Sequence, residues 1–208
     1  QQNNFPDLIV GSYKSIDLES NLISKTTYNP SFTYNLWENL IYTNLGNTCS
    51  NLFKSNIFKN KIKWDESLKS SQEYNLMFTL LQKRISIIFD SQINTFIRIR
   101  PHGSISKSNI VEKWERYVEL RVRIINYLSS NKPETVNDKI MQAFFSSIRM
   151  LYPYNPKLAK SYFKEFFSHN FSPKISSYNS RFYVFVFKIF GFSSTEKIKL
   201  FAKKLNFK

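Results

Sequence analysis

Apolar residues recur along the chain in several rhythms. Leu8-Ile9-Val10 is a short apolar run stopped by Gly11-Ser12, the pattern of a buried strand. A second extended piece follows within residues 1–34, and Asn29-Pro30-Ser31 marks a turn. Leu36, Trp37, Leu40, Ile41 and Leu45 fall at helical spacing and predict a helix over 34–45, whereas 48–53 is short and suits a strand. Trp64-Asp65-Glu66 reads as a loop leading to Ser70-Ser71-Gln72-Glu73, which opens a helix. Its stripe is Tyr74, Met77, Phe78 and Leu81, spaced i, i+3, i+4, i+7. Two strands are predicted at 85–89 and 95–99, joined through Asp90-Ser91, with a polar loop Pro101-His102-Gly103-Ser104 after them. A long helix then runs over 110–128 with Val111, Trp114, Val118, Val122 and Ile125 on one face. Ser129-Ser130-Asn131-Lys132-Pro133 breaks it and gives the strongest domain boundary, dividing the chain into 1–130 and 131–208. Beyond the break the pattern is helical, over roughly 134–151, 156–168, 176–190 and 194–206.

Composition narrows the classes. The 208 residues are 42% hydrophobic and 17% aromatic, enough for a packed core, which excludes wholesale disorder. The four glycines, Gly11, Gly46, Gly103 and Gly191, lie far apart and make no Gly-rich phosphate loop. One cysteine, Cys49, excludes a disulfide scaffold and a Cys-based zinc site and fits a reducing compartment. No stretch approaches 18 uncharged apolar residues, so no spanning helix is predicted. The start, Gln1-Gln2-Asn3-Asn4, has neither an initiator Met nor a signal-peptide pattern, so a processed N-terminus or a piece of a longer protein is expected.

Charge adds a partner class. The net charge is +15, which points to a polyanion such as nucleic acid, an anionic membrane surface or a phosphorylated substrate; lysines on solvated faces are the plain alternative. Residues 1–130 hold 16 basic and 11 acidic side chains, whereas 131–208 hold 14 and 4, so two thirds of the surplus lies in the last 78 residues. There, Ser193-Ser194-Thr195-Glu196 has the form of a capping box. It opens an amphipathic helix with Ile198, Phe201, Ala202 and Leu205 on one face and Lys197, Lys199, Lys203, Lys204 and Lys208 over the rest. The aromatic run 181–190 precedes it. Such a segment suits an anionic leaflet with its lysines snorkelling outward, or equally a terminal helix packed on its own domain.

The most informative stretch is 46–106. Gly46-Asn47-Thr48-Cys49-Ser50-Asn51-Leu52-Phe53 is followed by Trp64-Asp65-Glu66-Ser67-Leu68-Lys69-Ser70-Ser71-Gln72-Glu73-Tyr74-Asn75-Leu76, then a strand pair, then Arg100-Pro101-His102-Gly103-Ser104-Ile105-Ser106. In order and spacing these pieces resemble the C-terminal, acceptor-side half of a family 2 glycosyltransferase of the GT-A type. Asp7-Leu8-Ile9-Val10-Gly11-Ser12-Tyr13, with Ile16-Asp17, is similar to the segment that follows the metal-binding aspartates of such enzymes. The resemblance covers roughly residues 5–130. It implies an α/β fold: a partial GT-A-like, Rossmann-like mixed sheet with helices, followed here by a basic α-helical C-terminal extension.

The resemblance also implies an activity. A complete enzyme would transfer a sugar from a nucleotide-sugar donor to the hydroxyl of a glycan or lipid-linked glycan, with inversion, as in bacterial cell-envelope polysaccharide biosynthesis. Glu73 occupies the position of the general base, although Ser70-x-x-Glu73 also has the form of a capping box. His102 falls where the family holds the diphosphate and its divalent cation, Mg²⁺ or Mn²⁺. Arg98 and Arg100 could face the diphosphate, since guanidinium matches phosphate oxygens bidentately, or form an outward solvated pair. Trp64, Asp65 and Gln72 border the acceptor side. Thr79 stands where the family carries an Arg. The nucleotide-binding half and its Asp-x-Asp lie outside this sequence, so the chain by itself is expected to bind acceptor or membrane at most. The expected location is cytoplasmic, with peripheral contact at the inner face of the membrane through 181–208. Residues 8–12 are then expected to be an edge strand without parallel neighbours.

Other constellations carry less. Cys49 lies in a strand-like run and reads as core; His169, among Phe166, Phe167 and Phe171, reads as a packing residue. The rival function is a non-catalytic basic helical module that binds an anionic membrane surface or nucleic acid; nucleic acid is the less favoured partner, because the charge surplus lies outside the segment carrying recognisable chemistry.

Overall fold

The computed structural model describes residues 5–28, 34–59, 62–100 and 109–205. The 29–31 turn and the 101–106 loop with His102 lie outside the described residues. The chain forms two compact units, 1–108 and 109–208. The division falls ahead of the long helix, whereas the sequence break was read after it.

Unit 1 is built on a mixed sheet. β1 (Leu8–Ile16) pairs in parallel with β4 (Ile87–Arg98) along its whole length. β3 (Leu52–Phe53) pairs antiparallel with Leu8 and Ile9, and β2 (Leu22–Tyr28) pairs antiparallel with the far end. β1 is thus the central strand, with Leu8 and Val10 fully buried and Ser12 and Ser15 buried beside them. This corrects the expected edge: the apolar run of β1 is paired and covered, and β2, β3 and β4 each have β1 as their one described partner. β4 also replaces the two predicted strands. The break read at Asp90-Ser91 is a pair of register shifts on either side of Ser12, where Gly11, Ser12 and Tyr13 oppose Asp90, Ile93 and Thr95. The Ser12 hydroxyl donates to the Asp90 carbonyl (2.8 Å), and the Asp90 carboxylate accepts from the Gln92 amide (2.9 Å), so polar side chains hold the bulge that they seemed to terminate.

Three helices complete the unit. α1 (Leu36–Thr43) starts in a reciprocal cap, Asn35 accepting from the Glu38 amide at 2.8 Å, and ends in left-handed Asn44. α2 (Asn56–Lys59) is one turn. α3 (Gln72–Gln82) buries Tyr74, Leu76, Met77, Phe78, Leu80 and Leu81, which includes the whole predicted stripe, and Phe78 meets Trp37 of α1 edge-on.

Unit 2 is helical. α4 (Ile110–Asn131) buries Val118, Leu120, Ile124, Ile125 and Leu128; Val111, expected on that face, is exposed. Arg121 is buried with it and donates to the Ala143 carbonyl (3.2 Å), joining α4 to α5 (Asp138–Leu151). α6 (Pro156–Phe166) is capped by Asn155, which also reaches Glu115 of α4 (2.7 Å). α7 (Arg181–Leu205) is interrupted at Gly191, whose φ of 69° and ψ of 180° separate two helical segments. These elements close on a phenylalanine core: Phe145 meets Phe163, Phe167, Phe171, Phe187 and Phe192 at centroid separations of 5.0–6.0 Å. Across it, Arg149 (4% exposed) pairs with Glu196 (0%) at 2.6 Å. Tyr183 donates to the same carboxylate oxygen at 2.8 Å, and the Arg149 guanidinium sits 3.4 Å from the Tyr183 ring centre. The Glu196 predicted as a cap is therefore half of a buried ion pair. Cys49 and His169, both expected inside, are exposed. Among the described residues no helix is long and apolar enough to cross a membrane.

Candidate functional site

The best-defined candidate site lies where the turn after α1 meets the start of α3. Asn44, Leu45 and Gly46 all have positive φ (56°, 56° and 86°), which reverses the chain within three residues. The Asn51 side chain fixes the turn from within, donating to the Leu45 carbonyl (2.9 Å) and accepting from the Gly11 amide (3.3 Å). Gly11 admits this close approach. A Cβ there would lie 2.3 Å from the Ser50 carbonyl oxygen, and one on Gly46 would lie 2.7 Å from Asn51 Oδ1. The loop is thus pressed onto β1 at two glycines, and it carries Thr48.

Thr48 Oγ1 donates a hydrogen bond to Glu73 Oε1 across 25 residues of sequence. Ser71, the residue before α3, has φ 62° and no side-chain cap bond, so the expected Ser70–Glu73 cap gives way to Thr48 as the identified partner of the carboxylate. Glu73 is exposed, and among the described residues no Lys or Arg pairs with it. Tyr13 of β1 is held above the usual phenol range, first by burial and then by the Glu73 carboxylate, so a neutral phenol adjoins the acid.

The remaining expected residues distribute unevenly. Gln72 Nε2 donates to the Leu68 carbonyl (2.6 Å), strapping the 65–68 turn to the head of α3. Asp65 is absorbed by that turn: its Oδ1 accepts from the Ser67 amide (3.1 Å), and its carbonyl accepts from Leu68. Trp64 is 39% exposed in the same loop. Arg98 clasps the β1–β2 turn, donating to the Asp17 and Leu18 carbonyls (2.9 and 2.7 Å) and to Ser20 Oγ (3.0 Å). Its guanidinium is thereby engaged in the fold of the hairpin. Arg100 is exposed at the end of β4. Thr79 donates back to the Asn75 carbonyl within α3 (3.0 Å). Among the described residues no group of three His, Cys, Asp or Glu side chains gathers to hold a metal, and His102 lies outside them.

Thr48, Asn51 and Tyr13 were not singled out from sequence. Thr48 and Asn51 stand inside the motif 46–53, and their polar side chains in an otherwise strand-like run were the available signal. Comparison with known proteins adds no identity to this geometry: no family model, no curated protein and no solved structure matches the chain.

Proposed function

We propose that unit 1 is the acceptor side of a family 2 glycosyltransferase, with Glu73 as the general base. The observation that supports it best is the setting of Glu73. Its carboxylate stands exposed at the first turn of α3, oriented by one neutral hydroxyl and left without a cationic partner among the described residues. A base needs that combination: a fixed rotamer, access to substrate and no competing ion pair. In the reaction, the acceptor O–H proton passes to the Glu73 carboxylate as the acceptor oxygen bonds to the anomeric carbon. The bond from that carbon to the nucleotide diphosphate breaks on the opposite side, which inverts the centre. Thr48 positions one carboxylate oxygen, and the other receives the proton. Gln72 holds the Trp64–Leu68 loop against the head of the same helix, where an acceptor sugar would lie on the exposed indole. The reading carries with it a nucleotide-sugar donor, a glycan acceptor and a cytoplasmic location.

The test is nucleotide release from a panel of nucleotide sugars, with and without glycan acceptors, on protein expressed from its complete reading frame. Glu73→Gln is expected to lower kcat by about 10²–10⁴-fold, the usual contribution of a positioned base, while leaving the acceptor KM nearly unchanged. Undiminished turnover in that variant, or no acceptor-dependent release from any nucleotide sugar, would overturn the assignment.

A further inference from the structure

The two segments of α7 carry an apolar surface that the phenylalanine core does not use. Phe182, Phe185 and Ile189 are 70%, 61% and 56% exposed; Ile198, Phe201 and Leu205 are 41%, 65% and 59% exposed. Each trio is spaced i, i+3, i+7, which at 3.6 residues per turn confines it to an arc of about 60°. The core side chains Tyr183, Val186 and Phe187 of the first segment, and Phe192 and Thr195 of the second, lie on other arcs. The trios approach each other through one member each, Phe182 and Ile198. Phe182 and Val186 from one segment, and Ile198, Lys199 and Ala202 from the other, line one concavity of about 300 Å³. Exposed large side chains gathered in this way mark a contact surface.

Charge selects the occupant. α7 bears Arg181, Lys188, Lys197, Lys199, Lys203 and Lys204, and its one carboxylate, Glu196, is buried against Arg149. The surface offers cations and hydrocarbon together. Aromatic rings beside lysines also suit single-stranded nucleic acid, but half of the stripe is Ile189, Ile198 and Leu205, which have no face to stack on a base. Aliphatic and aromatic side chains together, flanked by long-stemmed cations, match the boundary between acyl chains and anionic headgroups.

We propose that α7 is a peripheral docking surface for an anionic lipid bilayer, its apolar stripe entering the acyl boundary and its lysines meeting the headgroups. The surface acts independently of Glu73. The test is co-sedimentation of the full chain with vesicles of phosphatidylcholine alone and of phosphatidylcholine mixed with phosphatidylglycerol. Partition is expected on the mixed vesicles only, falling as salt is raised. Each of Lys188→Gln, Lys197→Gln and Lys204→Gln should weaken it about fivefold. Phe185→Ser and Phe201→Ser, both at exposed positions, should each weaken it about tenfold with the unfolding midpoint unchanged. Glu73→Gln should partition like the parent, so that this surface and the catalytic reading fail separately. Equal binding to phosphatidylcholine, no binding to either vesicle, or insensitivity to the Phe variants would overturn the proposal. So would a stable dimer that Phe185→Ser dissociates, or a single-stranded oligonucleotide that binds more tightly than the mixed vesicles and displaces them.

Discussion

Replacing Gly11 by Ala tests whether the Thr48 loop is as closely seated as the geometry requires. The new Cβ would stand 2.3 Å from the Ser50 carbonyl oxygen, where ordinary contact begins at 3.4 Å, and the obstacle is backbone, with no flexible side chain to swing away. The loop must therefore retreat by about 1 Å, the scale of shift that an overpacked core forces. The Gly11–Asn51 bond is already 3.3 Å long and would not survive the movement, leaving the Asn51 side chain, 6% exposed, with an unmatched acceptor. Overpacking costs about 1–3 kcal/mol and the orphaned acceptor about 1–3 more, so the expected loss is roughly 2–6 kcal/mol. For a unit of this size that lowers the midpoint by roughly 10 °C or more in thermal unfolding followed by circular dichroism. Gly191→Ala is the comparison without a clash: it has nothing within 4 Å, so it should cost only the backbone strain of its φ 69°, ψ 180° conformation, about 1–3 kcal/mol. A Gly11→Ala protein melting within about 2 °C of the parent would refute the close seating, and with it the account of how Thr48 is held opposite Glu73.

The buried pair in unit 2 gives a sharper energetic test. Glu196→Leu leaves the Arg149 charge uncompensated and should cost about 3–5 kcal/mol, whereas Arg149→Met combined with Glu196→Leu should recover at least half of that; strict additivity of the single changes would show no coupling. Alkaline pH should weaken the same unit. Burial, then the Glu196 carboxylate, pushes the Tyr183 phenol well above its ordinary value, so the folded state keeps a proton that the unfolded chain loses near pH 10. Stability measured by urea unfolding should be level below that pH and fall above it; an unchanged midpoint well past the ordinary tyrosine range would contradict the buried phenol.

Much of the local structure was legible because its cause is local. The stripe of α3, the helices at α1 and α6 and the turn around Asp65 follow from spacing and polar punctuation a few residues apart. The failures share a different origin. Asp90 and Ser91 look like a strand break, yet Asp90 pairs with Gly11, and Ser91 is surplus with Gln92 in a bulge closed by Ser12, which is remote in sequence. Ser70-x-x-Glu73 and Ser193-x-x-Glu196 both have the form of caps, and in both cases a distant partner, Thr48 or Arg149, takes the carboxylate. Capping is a weak interaction that a tertiary hydrogen bond or ion pair outcompetes. For the same reason Glu73 could be named from sequence while the loop that orients it could not. Nothing within a few residues of Thr48 indicates that β1 presses on it through Gly11.

The parallel ladder of β1 with β4 also dictates an order of events in folding. Asp7 and Ser86, which open that ladder through a carboxylate–amide bond of 2.9 Å, are 79 residues apart. Nearly the whole of unit 1 must be synthesised and its ends brought together before its central strand gains this neighbour. Unit 2 is closed by helices that follow one another directly, so its contacts form quickly once its chain is available. Of the two units, the one made first is thus the one that folds late. During that interval β1, with Leu8 and Val10, lacks its β4 neighbour, and an unpaired strand edge exposes the nascent chain to aggregation.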